Sequence, residues 1–291
     1  GTIRGILPIV QMKSLLFGNF MVSLPYFNYG GICADDEDTS KFLLEEAIRI
    51  AIQEGAEHIE LRHTRKIDYN LQVKTSKVSM RIELPIDTEE LWKSFPSKLR
   101  AQVKKPEKEG MFSQFGREEE LDNFYHIFSV NMKSLGTPVY SKEFFRNILK
   151  KFPDSTSICT IYAKDRVPIA AGFIIGFRDM MEIPWASSIK DYNRYSPNML
   201  LYWKILEHAC KSGFKQFDFG RSTPGEGTYK FKEQWGAKPI QLYWHYWLRK
   251  ESSIPELNPK NSKYRLAVRI WQKLPLTITK LLGPSIVRNI P

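Results

Sequence analysis

The residues best suited to chemistry lie between Asp218 and Gly236, where the chain reads DFGRSTPGEGTYKFKEQWG. The order is a strand, a glycine-rich turn and a short aromatic and basic helix. Such an arrangement gathers backbone N–H groups and lysine side chains around an anion. Asp218 supplies a carboxylate, Arg221 and Lys232 supply cations, and Tyr229, Phe231 and Trp235 supply ring faces. The stretch lacks G-x-x-x-x-G-K-[ST] and is not a dinucleotide fingerprint either. By spacing alone, Phe231 and Trp235 share a helical face and would pack as core, the glycines would serve an ordinary turn, and Lys230 and Lys232 would be solvated.

Two other segments carry binding chemistry. From Trp92 to Gly110, the cations Lys98, Arg100, Lys104, Lys105 and Lys108 suit a phosphate-bearing partner, or else form a solvated helix face. In Pro25–Ile32, Tyr26, Asn28 and Tyr29 offer stacking and hydrogen bonding, while Gly30 and Gly31 permit close backbone approach. His63 follows Arg62 at a strand end and is a candidate general base. The other histidines show no metal spacing, and no Ser-His-Asp order is present.

Positioning these groups needs a folded scaffold, and the composition provides one. The chain has 291 residues, 42% of them hydrophobic and 13% aromatic, which excludes a disordered chain. Its three cysteines form no C-x-x-C pair, which fits a reducing cytosol. There is no run of about 18 apolar residues to span a bilayer. Net charge is +11, and much of it is terminal: Arg249–Pro291 holds nine basic residues and two acidic ones. Over Tyr264–Leu274 a helical wheel places Arg265, Arg269, Gln272 and Lys273 on one face, and Tyr264, Leu266, Val268, Ile270, Trp271 and Leu274 on the other. This amphipathic helix suits packing on its own domain and, through residues 263–282, peripheral contact with an anionic membrane.

An internal repeat sets the architecture. A first hairpin, Arg4–Val10 with Phe20–Pro25, precedes a helix from about Ser40 to Glu54, Gly55, and a strand from His58 carrying Glu60 and ending at Arg62. A second hairpin, in Phe173–Phe177 and Met181–Ala186, precedes a helix from about Pro197 to Lys211, Gly213, and a strand from Gln216 carrying Asp218 and leading to Arg221. Two copies of one α+β unit follow, each a hairpin with a helical crossover into a further strand. Glu89–Lys151 reads as helical and belongs to the second copy. The expected division is 1–85 for the first unit, 86–240 for the second, and 241–291 for a basic, aromatic segment returning to the first.

Taken in order, Leu24–Gly31 (LPYFNYGG), Glu60–His63 (ELRH), Lys98–Lys105 (KLRAQVKK), Leu135–Val139 (LGTPV), Phe217–Arg221 (FDFGR) and Gly227–Gly236 (GTYKFKEQWG) resemble the FemAB-like branch of the GNAT acyltransferases. The likeness extends to Asn258–Arg265 and Leu281–Pro284, as in members associated with bacterial PEP-CTERM and exopolysaccharide systems. It implies an α+β fold of two GNAT-like domains in tandem, with mixed sheets flanked by helices. It also implies a first domain lacking its opening strand and helices, on the order of 50–60 residues; the chain does begin on Gly1 rather than Met. The implied activity is transfer of an acyl or aminoacyl group to an amine of an envelope precursor, with aminoacyl-tRNA or acyl-CoA as co-substrate and no bound cofactor or metal. In Fem-type ligases a Phe-Lys pair lines the substrate channel, and it maps onto Phe231 and Lys232. The R/Q-x-x-G-x-G/A turn that binds CoA pyrophosphate is replaced by Asn193–Asn198 without glycines, although Arg194 is placed to meet a phosphate.

The resulting expectation assigns Lys232, Arg221 and Asp218 to catalysis, with Asp218 or the acceptor taking the proton. Phe231, Tyr229, Trp235, Tyr26, Asn28, Tyr29, Arg62, His63, Arg100, Lys104, Trp185 and Arg194 would bind substrate. A CoA-dependent N-acyltransferase and a non-catalytic glycan- or membrane-binding module remain alternatives.

Overall fold

The computed structural model describes residues 1–15, 17–250, 253–254 and 262–290. Of the stretch Asn258–Arg265 singled out above, residues 258–261 fall outside them. Two mixed sheets organise the chain. The larger has seven strands in the order Lys238–Gln241, Val78–Glu83, Gln216–Ser222, Met180–Ser188, Pro168–Phe177, Thr156–Tyr162 and Phe112–Gly116. The smaller has five: Val10–Ser14, Gly18–Val22, His58–His63, Tyr243–Leu248 and Gln72–Lys74.

Each sheet contains a single parallel pair, made by a helical crossover. In the smaller sheet, helix Glu37–Gln53 carries the chain from Gly18–Val22 to its parallel neighbour His58–His63. In the larger, helix Pro197–Lys211 carries it from Met180–Ser188 to Gln216–Ser222. The repeated hairpin, helix and strand are therefore present as two α+β units. Asp36 caps the first crossover helix by accepting the Thr39 N–H at 2.7 Å, so that helix starts ahead of Ser40.

Two strands tie the units together. Val78–Glu83, on the first-unit side of the expected boundary at residue 85, pairs with Gln216–Ser222 in the larger sheet. Tyr243–Leu248, which follows the second unit, pairs with His58–His63 in the smaller one.

The first hairpin is displaced from its expected place. Its strands are Val10–Ser14 and Gly18–Val22, because Pro8 has no N–H for a ladder and breaks the run before Ile9. Gly5–Ile6 instead pairs with Cys33–Ala34. Glu89–Lys151 is likewise not all helix. Thr88–Ser94, Ser97–Lys108, Leu121–Leu135 and Lys142–Lys151 are helical, and Phe112–Gly116 forms the outer strand of the larger sheet. That sheet is covered on one face by Pro197–Lys211 and Ser97–Lys108, with Leu200, Leu206, Val103 and Phe217 buried between. On the other face lie Leu121–Leu135 and Lys142–Lys151, whose Phe124, Phe128 and Phe145 pack on Phe173 and Trp185.

Candidate functional site

The parallel strands of the larger sheet hold register at only three positions, Met180 with Gln216, Met181 with Phe217 and Glu182 with Asp218, and then separate. An extra residue sits in each strand where they part. Between Glu182 and Trp185 the first strand advances three residues while its neighbour advances two, placing a bulge at Ile183–Pro184. Between Asp218 and Arg221 the second does the same against Val78–Glu83, placing one at Phe219–Gly220. The residue types explain both: Pro184 has no N–H to give the ladder, and Gly220 adopts a φ of 81°.

Lys232 closes this gap. Helix Gly227–Glu233 delivers its side chain to the second bulge, where Nζ donates to the carbonyls of Gly220 and Arg221, each at 2.9 Å. It is buried, contrary to the expectation for a lone lysine on this helix. It lines a cleft of about 290 Å³ with Asn131, Ser187, Asn198, Tyr202 and Phe231. Phe231 meets Tyr202 edge to face at 5.0 Å, and the Asn131 amide donates to the Ser187 hydroxyl at 3.0 Å. Burial lowers the Lys232 pKa to about 8, Asp218 opposing and the neighbouring Arg221 assisting.

Asp218 lies beneath the cleft with no exposed surface. It accepts from the Ser79 hydroxyl at 2.6 Å, Arg81 Nε at 3.0 Å and the Gly220 N–H at 2.7 Å, and the Tyr29 hydroxyl lies 3.1 Å away. Those partners make the carboxylate a strut between strands, and with no exposed surface it is not open to a substrate proton. Glu182 contrasts with it: among the described residues its one hydrogen-bond partner is Tyr29, at 3.3 Å. Burial, and then the charge of Asp218, push Glu182 up to about 7, with Tyr29 and Arg81 opposing.

Tyr29 belongs to the first unit, so the loop after Gly18–Val22 reaches into the opened strand pair of the second. Phe27 packs on Trp185 at 5.6 Å, and the Asn28 carbonyl accepts from Trp244 Nε1 at 3.3 Å. Tyr26 lies against Tyr140 at 5.1 Å and donates to the Arg288 carbonyl. His63 holds this loop. Its Nε2 accepts the Ile32 N–H at 3.0 Å, its Nδ1 faces Nδ1 of His245 at 3.1 Å, and burial, then His245, lower its pKa to about 4. Both ring nitrogens are engaged inside the protein, so His63 is a support for the loop and not the general base expected from its position. A Cβ on Gly31 would lie 2.3 Å from His63 Cδ2. Gly31→Ala is therefore expected to destabilise the protein by about 1–3 kcal/mol, read as a lower urea midpoint with an unchanged slope.

A second polar locus lies where the sheets meet. Arg62 is buried, donates from Nε to Glu60 at 2.7 Å and from Nη1 to the Phe27 carbonyl at 2.7 Å, and Tyr246 donates to the other Glu60 oxygen. The guanidinium carbons of Arg62 and Arg221 lie 4.5 and 4.8 Å from the centre of the Trp244 ring. Arg221 keeps exposed surface, yet burial and the charge of Arg62 lower its pKa. Among the described residues it has no ion-pair partner, so no contacting carboxylate cancels its positive charge.

The remaining expected residues are dispersed. Trp235 is fully buried core, Tyr229 packs partly buried on the same core, and Trp185 sits in the aromatic cluster. Arg100 and Lys104 lie on Ser97–Lys108, where Lys104 covers Trp92 at 5.8 Å. Arg194 is exposed on a 3₁₀ turn, Lys190–Tyr195, just ahead of the crossover helix, with its guanidinium over Tyr195. None of these six lines the cleft; Glu182 and Arg221 stand outside its lining too, Glu182 in the strand that supplies Ala186 and Ser187 to it and Arg221 at the bulge that holds Lys232. Glu182 and Tyr202 were not anticipated. The available signal was Pro184, since a proline inside a central strand marks a bulge. Among the described residues no group of three or more His, Cys, Asp or Glu side chains is disposed to hold a metal.

Comparison with known proteins fits this geometry. Residues 93–233 match the model of the acetyltransferase (GNAT) domain family. Among solved structures, FemX aligns with a TM-score of 0.61 at 14% identity, over 84% of this chain and 85% of that one. L-PGS from Bacillus licheniformis aligns at 0.62 and 15%, over 93% and 87%. The C-terminal domain of a putative lysylphosphatidylglycerol synthetase from Agrobacterium fabrum aligns at 0.61 and 12%, over 96% and 85%. At such identities the likeness is one of fold. A search of curated protein sequences gave no match.

Proposed function

We propose, from the match of residues 93–233 to the acetyltransferase (GNAT) domain family and the fold shared with FemX, that the chain forms an amide by moving an acyl or aminoacyl group onto an amine-bearing acceptor of the cell envelope or an exopolysaccharide system. The observation that carries this reading is Lys232, buried at the mouth of the separated strands with two N–H groups held by backbone carbonyls. An ammonium has three, which leaves the third for a ligand in the cleft. The neutral amine attacks the acyl carbonyl carbon, Lys232 stabilises the oxyanion, and the bond to the donor's oxygen or sulfur breaks as the C–N bond persists. Glu182, in place of Asp218, takes the proton that the amine loses and passes it to the departing oxygen or sulfur. Arg221 meets an anionic group of the acceptor, and Arg62 shares the Trp244 ring with it.

Aminoacyl-tRNA is the proposed donor. The absence of glycines in Asn193–Asn198 supports it over acyl-CoA, as does a neighbour whose name joins a lysyl group to phosphatidylglycerol. The proposed setting is the cytoplasm, at the inner face of the membrane. Competition between charged tRNA and acetyl-CoA for the protein tests the donor: displacement of bound charged tRNA by low acetyl-CoA would reverse the assignment.

The pH dependence follows from the two shifted groups. Activity rises as Glu182 loses its proton near pH 7 and falls as Lys232 loses its own near pH 8, giving a narrow bell in kcat/KM. Glu182→Gln is expected to remove the acid limb, and Lys232→Arg to carry the basic limb upward. A profile flat across this range would exclude both roles.

A further inference from the structure

The last two helices, Ser262–Lys273 and Leu276–Val287, both pack on Leu121–Leu135. Their inner contacts are specific. Val268 closes on Gly136, where an added Cβ would lie 2.4 Å from its Cγ1, and Gln272 donates to the Ser134 carbonyl at 3.0 Å. In the second helix Thr279, Gly283 and Val287 are buried, with Gly283 against the backbone of Val139.

The outer faces are apolar and cationic together. Leu266 and Ile270 are 67% and 53% exposed, Leu281 and Leu282 are 76% and 45% exposed, and Ile278 lies beside them. Arg265, Arg269 and Lys273 are exposed on the first helix, and Arg288 follows the second. The helical wheel had set Leu266 and Ile270 on the face opposite the cations. Packing through Val268 and Gln272 turns them outward with Arg269 and Lys273 instead. Residues 262–290 include six Lys and Arg and no Asp or Glu.

Three features select the partner. An ordinary solvated face would mix both charge signs and carry fewer exposed aliphatics. A surface for structured RNA would present cations without exposed aliphatics, and one for single strands would add stacking rings, whereas here Leu266, Ile270, Leu281 and Leu282 are exposed and Trp271 is partly buried with its indole N–H enclosed. Aliphatic side chains rimmed by cations match a surface with anionic headgroups above hydrocarbon. Neither helix is long enough to cross a bilayer, so the fitting geometry lies in the interface plane.

We propose that the outer faces of these two helices dock the protein peripherally on an anionic lipid membrane. Leu266, Ile270, Leu281 and Leu282 enter the headgroup boundary, and Arg265, Arg269 and Lys273 meet lipid phosphates. The surface is distinct from the cleft, and the inference holds whichever donor the cleft uses.

Flotation of the full chain with phosphatidylglycerol-containing vesicles, compared with pure phosphatidylcholine vesicles, is the test. The expected result is binding to the anionic vesicles alone, weakened by salt. Leu266→Ser with Leu281→Ser should reduce it by roughly tenfold or more, and Arg269→Glu with Lys273→Glu should abolish the preference for anionic lipid. These side chains point away from the packed face, so circular dichroism and the thermal midpoint should match the unaltered chain. Equal binding to both vesicles, or none to either, by the unaltered chain would overturn the proposal without recourse to any variant. A dimer dissociated by Leu281→Ser in the absence of vesicle binding would assign the face to a second copy. Loss of tRNA binding in the Arg269 and Lys273 variants, with vesicle binding absent, would assign it to RNA.

Discussion

Lys232→Ala is expected to lower the rate of transfer by roughly 100- to 1,000-fold while the protein stays folded, the scale of losing one preorganised donor to an oxyanion. The side chain reaches the cleft from a short helix and bonds only backbone carbonyls, those of Gly220 and Arg221. Those carbonyls border the cleft, so water can replace the ammonium once it is gone, and the loss in stability should be near that of ordinary hydrogen bonds, about 1 kcal/mol each. The internal control is Lys230, exposed on the same helix. Lys230→Ala should change neither rate nor stability. Steady-state kinetics with the accepted donor should show the loss in kcat; a fall confined to binding would make Lys232 an anchor for the donor and not a group acting on the carbonyl.

The second large effect falls on stability. Asp218→Ala is expected to cost about 3–5 kcal/mol, because it strands the half-buried Arg81 and leaves the buried Ser79 hydroxyl and Gly220 N–H without their acceptor. Arg81, the Ser79 hydroxyl and the Gly220 N–H all converge on this carboxylate, and it has no exposed surface. The loss would loosen the second bulge and, with it, the seat of Lys232. Urea unfolding measures it directly. A variant with full stability and no activity would restore Asp218 as the proton acceptor and displace Glu182 from that role.

Much of this was legible from the residues, and the failures have physical causes. Helix Pro197–Lys211 was readable to its ends because Pro197 suits a first helical turn and Gly213 ends the run. The repeat was readable because each crossover ends in a glycine and then a strand with an acidic residue and an arginine. The first hairpin is displaced because Arg4–Val10 is apolar enough to resemble a strand while Pro8 withholds the N–H that a ladder needs. Phe112–Gly116 escaped notice because five residues between two helices leave little alternation to detect. Glu182 looked like any outward carboxylate on a strand, since its environment is created by Tyr29 from a loop more than 150 residues earlier. Likewise, no local pattern reveals that Arg62 and Arg221 share the ring of Trp244: Arg221 is brought there by the larger sheet, and the other two by the smaller one.

The most direct measurement is product detection by mass spectrometry, with the protein incubated with charged tRNA and an amine-bearing envelope extract, in parallel with Lys232→Ala. The expected result is an amide-linked aminoacyl adduct formed by the unaltered chain and reduced by at least roughly 100-fold in the variant. Equal product from both proteins, or no product from a folded chain supplied with either charged tRNA or acetyl-CoA, would contradict amide-forming transfer at this cleft.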